Sequence, residues 1–224
     1  AAVLQSILPA FKQWANVGDK LHKGAGVMAS QSVADLYRGL VSHWRKPASV
    51  IIGGVEPPTV LTGNMPALDG LNSVERMMAL DLLTYLPDDI LCKVDRAAMG
   101  VSLETRVPFL DHRVVEFAWR LPMAYKQREG QTKWALRQVL YRHVPKELIE
   151  RPKMGFGVPI DSWLRGPLRD WAEDLLDESS LRQEGYFNPA PILQKWSEHL
   201  SGKRNWQHHL WMVLMFNAWL KENH

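Results

Sequence analysis

Three cations stand where their type and spacing could do chemistry: Lys133 and Arg137 in GQTKWALRQVL, and Lys153 in RPKMGFGVP. Read as a helix begun by Gln131 and Thr132 after Gly130, the first stretch puts Lys133 in the opening turn. Arg137 follows one turn later on the same side, and Leu136, Val139, Leu140 and Val144 face inward. Both placements oppose local stability. A cation at a helix N-terminus meets the positive end of the macrodipole, and like charges at i,i+4 repel by about 0.2–0.5 kcal/mol. Two cations beside free backbone N–H groups make a receptor for a phosphate. The competing reading is a basic helix face in solvent.

The second stretch, Arg151 to Pro159, brackets Lys153 with Pro152 and Pro159, which stiffen both ends. Gly155 and Gly157 permit backbone angles closed to other residues, and Phe156 can anchor the loop in a core. A stiff loop is what a lysine aimed at a ligand requires. A plain connector with a buried Phe is the alternative. In KVDRAAMGVSLETRVPFLDHR, the charges of Lys93, Asp95, Arg96, Glu104, Arg106 and Asp111 crowd together with balanced sign. They read as a partly buried ion network, structural in the first instance. His199, His208, His209 and His224 lack a ligand-like pattern and read as surface residues. The sequence has no Walker loop, GxGxxG, GxSxG or metal spacing of Cys and His.

The elements that must hold these residues are mostly helical. Length and a hydrophobic share of 46 % in 224 residues allow one large domain with ample core. Ten Trp residues imply a core built on large amphipathic rings. A net charge of +3 is too small and scattered to argue for nucleic acid. No apolar run is long enough for a bilayer. The single Cys92 fits a reducing compartment, and a cytoplasmic location is expected.

Along the chain, Leu4–Phe11, Lys20–Val27 and a Ser32-capped segment carrying Val33 to Trp44 read as helices. From Lys46 to Leu71 a Pro- and Gly-rich connection follows, with a possible strand at Val50–Val55. Asn72, with Glu75 three residues on, starts a helix that should end at Pro87. Asp88 and Asp89 should cap the next, and Asp111 another. Helices at Thr132–Val144, Ile160–Arg165, Pro167–Leu176, Ala190–Leu200 and Asn205–Leu220 complete the set, the last apolar nearly all round and so expected in the middle of the bundle.

LPDDILCKVDRAAMGVSLETRVPFLDHRVVEFA, GQTKWALRQVL and LIERPKMGFGVPIDSWLRGPL together resemble the C-terminal half of the synthetase domain of glutamine-hydrolysing asparagine synthetases. The resemblance is most specific from about Leu86 to Leu168. The order of L-E-x-R-V-P-F-L-D and then K-M-G-F-G, one residue tighter than the family spacing, carries it. It implies a mostly α, orthogonal multi-helix bundle. Such a bundle is the helical C-terminal subdomain of an adenine nucleotide alpha hydrolase-like (PP-loop) domain. Residues 1–70 would be a variable helical segment with its connection, and 71–224 the family subdomain, one compact unit overall.

The resemblance further implies Lys153 as catalytic at the phosphates during adenylation, and Lys133 near the pyrophosphate; Arg137 joins it as a cofactor-binding candidate. ATP and Mg2+ would serve the full-length enzyme, with aspartate, or a related carboxylate, and glutamine-derived ammonia reaching the site through upstream domains. The family's S-G-G-x-D-S and S-G-x-G-x-D-E strips do not occur in this sequence, and Cys92 sits mid-helix, unlike the glutaminase nucleophile. The chain opens AAVLQSILPAF inside an amphipathic pattern. The expectation is therefore a piece of a longer enzyme, inactive alone, binding no cofactor or metal, without nucleic-acid or membrane partners, and self-associating through an exposed apolar face. A non-catalytic helical assembly module, or amidation of a sugar acid, are the alternatives.

Overall fold

The computed structural model describes residues 28, 30–63, 66–151 and 157–223. The first two expected helices and Lys153 lie outside the described residues. In chain order the helices are α1 (Val33–Val41), α2 (Ser73–Leu80), α3 (Cys92–Met99), α4 (His112–Arg120), α5 (Met123–Lys126) and α6 (Trp134–Leu140). They continue as α7 (Lys146–Ile149), α8 (Ile160–Arg165), α9 (Arg169–Leu175), α10 (Glu178–Glu184), α11 (Pro189–Leu200) and α12 (Gln207–Asn223). A π-helical stretch, Asp81–Leu91, joins α2 to α3, and two-residue strands β1 (Gln127–Arg128) and β2 (Gln131–Thr132) pair antiparallel. The fold is mostly α. Contacts divide the chain into two units, Ala1–Asp89 with Val158–His224, and Ile90–Gly157.

In the first unit the capping signals act as expected. Ser32 Oγ accepts from the Asp35 N–H at 3.1 Å. Asn72 Oδ1 accepts from Val74 and Glu75 N–H at 2.9 and 3.0 Å, while Glu75 accepts from the Asn72 N–H at 3.0 Å, a reciprocal capping box. The helix does not end at Pro87. A proline has no N–H to give and its ring crowds the carbonyl four residues back; the wider π register from Asp81 to Leu91 carries the chain past it. Asp88 and Asp89 accordingly lie within the helical run, and α3 starts after Leu91 without a side-chain cap. At its start, the Thr84 hydroxyl bonds the Leu80 carbonyl at 2.7 Å, and the Tyr37 hydroxyl donates to Asp81 at 2.8 Å.

The core joins Leu164, Ala172, Leu175, Leu176, Ile192, Trp196, Trp206, Leu210, Val213 and Leu214 from α8, α9, α11, α12 and their connections, with Val50 from the Pro/Gly-rich segment. The strand expected at Val50–Val55 reduces to one bridge, Ile51 with Phe187, and the Asn188 N–H donates to the Val50 carbonyl at 2.7 Å. The α12 helix departs from its expected place in the middle of the bundle. Leu210, Val213, Leu214, Asn217 and Leu220 form one buried stripe, whereas Met212, Met215 and Trp219 are exposed. Its apolar circumference misled because large side chains on the outer face are tolerated singly at a surface.

Two histidines read as surface residues are drawn inward, His199 fully and His209 in part. The His199 side chain is fully buried, and its Nδ1 accepts from the Trp206 N–H at 3.2 Å. His209 packs edge-on to Trp206 and Trp44, and burial, then Lys195, pushes its pKa down to about 4. Beside them, Glu198 accepts from the Trp206 indole N–H at 2.8 Å and from Lys203 at 3.2 Å. The bonds from Trp206, Gln194 and Lys203 hold its pKa at about 2, below the ordinary 4.5. A depressed carboxylate stabilises the fold above its unfolded pKa and ceases to as pH falls through the folded one. Glu198→Gln should therefore be less stable than the parent at neutral pH. The gap should close as pH falls from 4.5 toward 2, which denaturant titrations at several pH values would measure.

In the second unit, α4 begins at Asp111, whose Oδ1 accepts from the Arg113 N–H at 2.9 Å, as its sequence signal predicts. Among the described residues of this unit none is a buried hydrophobic, and Phe109, Phe117, Val139 and Leu148 are more than half exposed.

Candidate functional site

Lys133 and Arg137 sit at the junction of β2 and α6 in the second unit. Gln131 and Thr132 do not start the helix, contrary to their reading as its opening residues; they form β2, and α6 runs only from Trp134 to Leu140. The cause lies in Glu129-Gly130, whose φ values of 52° and 77° are both left-handed, as a two-residue hairpin turn requires. Leu136 and Val139 consequently face solvent instead of a core.

Lys133 occupies the left-handed region at φ 58°, ψ 35°, immediately before α6. That conformation costs a non-glycine side chain about 1–2 kcal/mol, and such strain clusters where geometry serves a ligand. The side chain is exposed and enters no ion pair among the described residues.

Arg137 is differently placed. Its Nε donates to the Thr132 carbonyl at 3.0 Å, and its guanidinium pairs with Glu150, to which the Tyr141 hydroxyl also donates. With side-chain exposures of 19 % for Arg137 and 33 % for Glu150, this pair is the sheltered one in the unit. Tyr141 first, then Arg137, keep the Glu150 carboxyl below the usual carboxylate range. Arg137 is thus a tied cation and Lys133 an open one. Sequence reading missed Glu150, because its partner lies 13 residues away and on another element; the signal available was its place three positions ahead of Lys153.

Of the six charges read as a partly buried network, Lys93, Asp95 and Arg96 are exposed on α3. Glu104 pairs with Arg106 at 71 % and 85 % exposure, and Asp111 pairs with Arg113 at 2.8 Å. Burial, the premise of a network, is missing, because the extended strip between α3 and α4 has no core to lie against. Arg106→Met should accordingly lower stability by less than about 1 kcal/mol, as for exposed pairs generally, checked by chemical denaturation. Among the described residues no group of three or more His, Cys, Asp and Glu is placed to hold a metal ion. No helix among them is long and apolar enough to cross a membrane.

Comparison with known proteins decides the lineage: the family model described as asparagine synthase matches residues 2–221. The chain belongs to the asparagine synthase family. A provisionally named glutamine-hydrolyzing asparagine synthetase of Mycobacterium tuberculosis is 42 % identical over 152 residues, covering 67 % of this chain and 23 % of the relative. Asparagine synthetase (glutamine-hydrolyzing) 1 of Bacillus subtilis is 34 % identical over 148 residues, covering 66 % and 23 %. The Bos taurus asparagine synthetase (glutamine-hydrolyzing) is 31 % identical over 146 residues, covering 56 % and 25 %. The chain spans about a quarter of the length of these asparagine synthase relatives. No solved structure matches.

Proposed function

We propose that this chain is the helical C-terminal part of an ATP-dependent, glutamine-hydrolysing amidotransferase whose default substrate is L-aspartate. The asparagine synthase match across residues 2–221 carries the reading. In the proposed reaction a carboxylate oxygen attacks the α-phosphorus of ATP, and the bond to pyrophosphate breaks. Ammonia then attacks the acyl-adenylate carbon, releasing AMP and leaving the amide. Charge grows on the phosphates in the first step, and fixed cations stabilise it more than the ground state.

Lys133 is the described residue suited to this work: open, cationic and held in a strained backbone geometry. Lys153 is the proposed catalytic partner on the grounds of its motif. Arg137 takes the role of a positioning residue, because its charge is committed to Glu150, just ahead of Lys153 in the chain. A phosphate therefore finds a partial fit among the described residues. Magnesium ligands, the residues that read the amino acid, a cytoplasmic location, the boundary near residue 70 and self-association remain parts of this proposal.

The test uses a protein of the relatives' length carrying this segment. Aspartate-dependent release of AMP and pyrophosphate, with nitrogen from labelled glutamine recovered in asparagine, is the expected result. Nucleotide cleavage stimulated by a sugar acid and not by aspartate would move the substrate class, and absence of any carboxylate-dependent cleavage would overturn the reading.

A further inference from the structure

An open cavity of about 420 Å³ lies between the end of α1, the Pro/Gly-rich connection and α12, within the roughly 300–1,000 Å³ of small-molecule sites. Val50 and Val213, both buried in the core, reach its lining from beneath. Trp44, Phe187, Phe216 and Met212 line it as well, so the surface it offers is mostly apolar. Its walls are braced by contacts of their own. Trp44 donates its indole N–H to the His209 carbonyl at 3.3 Å and meets the His209 ring edge-on at 5.1 Å. His43, also on the lining, stacks on His208 at 5.0 Å. Phe187 packs edge-on against Phe216 at 5.1 Å, and the neighbouring Asn188 N–H holds the Val50 carbonyl at 2.7 Å. A space braced this way is pre-formed, as small-molecule sites usually are.

The charges beside the cavity have one sign. Leu36 to Val55 and Trp206 to Leu220, the stretches that supply most of the lining, contain no Asp or Glu. The first of them carries Arg38, Arg45 and Lys46. Arg38 pairs with Asp35 at 3.2 Å, and Arg45 also lies near that carboxylate. Lys46 is left as the cation beside the lining, exposed and next to Pro47, which lines the cavity. An apolar, aromatic interior with a basic rim is complementary to a ligand with an alkyl body and an anionic head.

We propose that this cavity binds a medium-chain fatty carboxylate. The alkyl chain would lie against Trp44, Phe187, Phe216 and Met212, and the carboxylate would face Lys46 and the His43 imidazole. All of these residues belong to the first unit, and the inference stands independently of the proposed synthetase activity.

Calorimetric titration of the 224-residue chain with octanoate, decanoate and decyltrimethylammonium, each below its micelle-forming concentration, tests it. Saturable binding of both carboxylates is expected. Each added methylene should tighten binding roughly threefold to fourfold, so decanoate should bind about tenfold tighter than octanoate. The cationic amphiphile should bind more weakly than decanoate, and Lys46→Glu should narrow or reverse that order. Met212→Trp, at a position more than half exposed, should fill the mouth and abolish binding; where it fails to fold, Ile51→Trp supplies the same block. Lys221→Gln, outside the lining, should leave binding unchanged. No saturable heat with the carboxylates, equal binding of both head groups, or decanoate binding untouched by the Trp variants overturns the proposal. So does a dimer in sedimentation that Met212→Trp dissociates without any decanoate binding, which gives the cavity to a second copy of the chain.

Discussion

On the proposed reaction, Lys133→Gly in a protein of the relatives' length should lower amide synthesis by about 10²–10³ while its melting temperature holds or rises. The rate change follows from removing one fixed cation from charge that grows only in the transition state. Stability is held for a separate reason. At φ 58° the lysine backbone is strained, and glycine adopts that angle freely. The relief of about 1–2 kcal/mol is offset in part by glycine's greater freedom in the unfolded chain. A merely structural Lys133 would give the opposite pattern, an unchanged rate with an altered melting curve. On the proposed reaction, Lys153→Met in a protein of the relatives' length should lower synthesis by a similar factor and spare any glutamine hydrolysis. Arg137→Met should differ from both by lowering the melting temperature as well, since Glu150 loses the guanidinium that ties it to α6 and keeps only the Tyr141 hydroxyl. Parallel measurement of pyrophosphate release and thermal unfolding separates the three.

Leu214→Ala should destabilise the chain by about 2–5 kcal/mol, the range for deleting a fully buried aliphatic side chain. Leu214 is 0 % exposed and sits in the cluster shared by α8, α9, α11 and α12. Each kcal/mol should lower the melting temperature by about 2–4 °C for a chain of this size. Phe117→Ala removes a larger side chain but one that is 63 % exposed, and should change stability far less. If the two variants melt alike, the core has been placed on the wrong elements.

The sequence announced what local chemistry settles. Ser32, Asn72 with Glu75, and Asp111 cap helices where a short polar side chain meets N–H groups two or three residues on. What depends on distant partners was not readable. Pro87 looked like a stop because nothing in its neighbourhood reveals a π register. Gln131 and Thr132 read as a helix start because the turn at Glu129-Gly130 redirects them only through the pairing of β2 with β1. The α12 helix reads as centrally buried because apolar composition does not say which face is covered. Of the candidate site, Lys133 and Arg137 could be named from their placement. That one is open and the other tied is not local, because Glu150 reaches Arg137 from 13 residues further along the chain.

The second unit, with no buried hydrophobic side chain among its described residues, has a kinetic consequence. Backbone amides are protected from deuterium exchange by the free energy needed to expose them, and that free energy follows local apolar burial. Amides of α4 and α6 should thus exchange through small local openings, whereas those of α9, α11 and α12 should wait for opening of the whole first core. A protease offered the native chain should make its first cuts between Ile90 and Arg151, leaving the α8–α12 assembly as the resistant remainder.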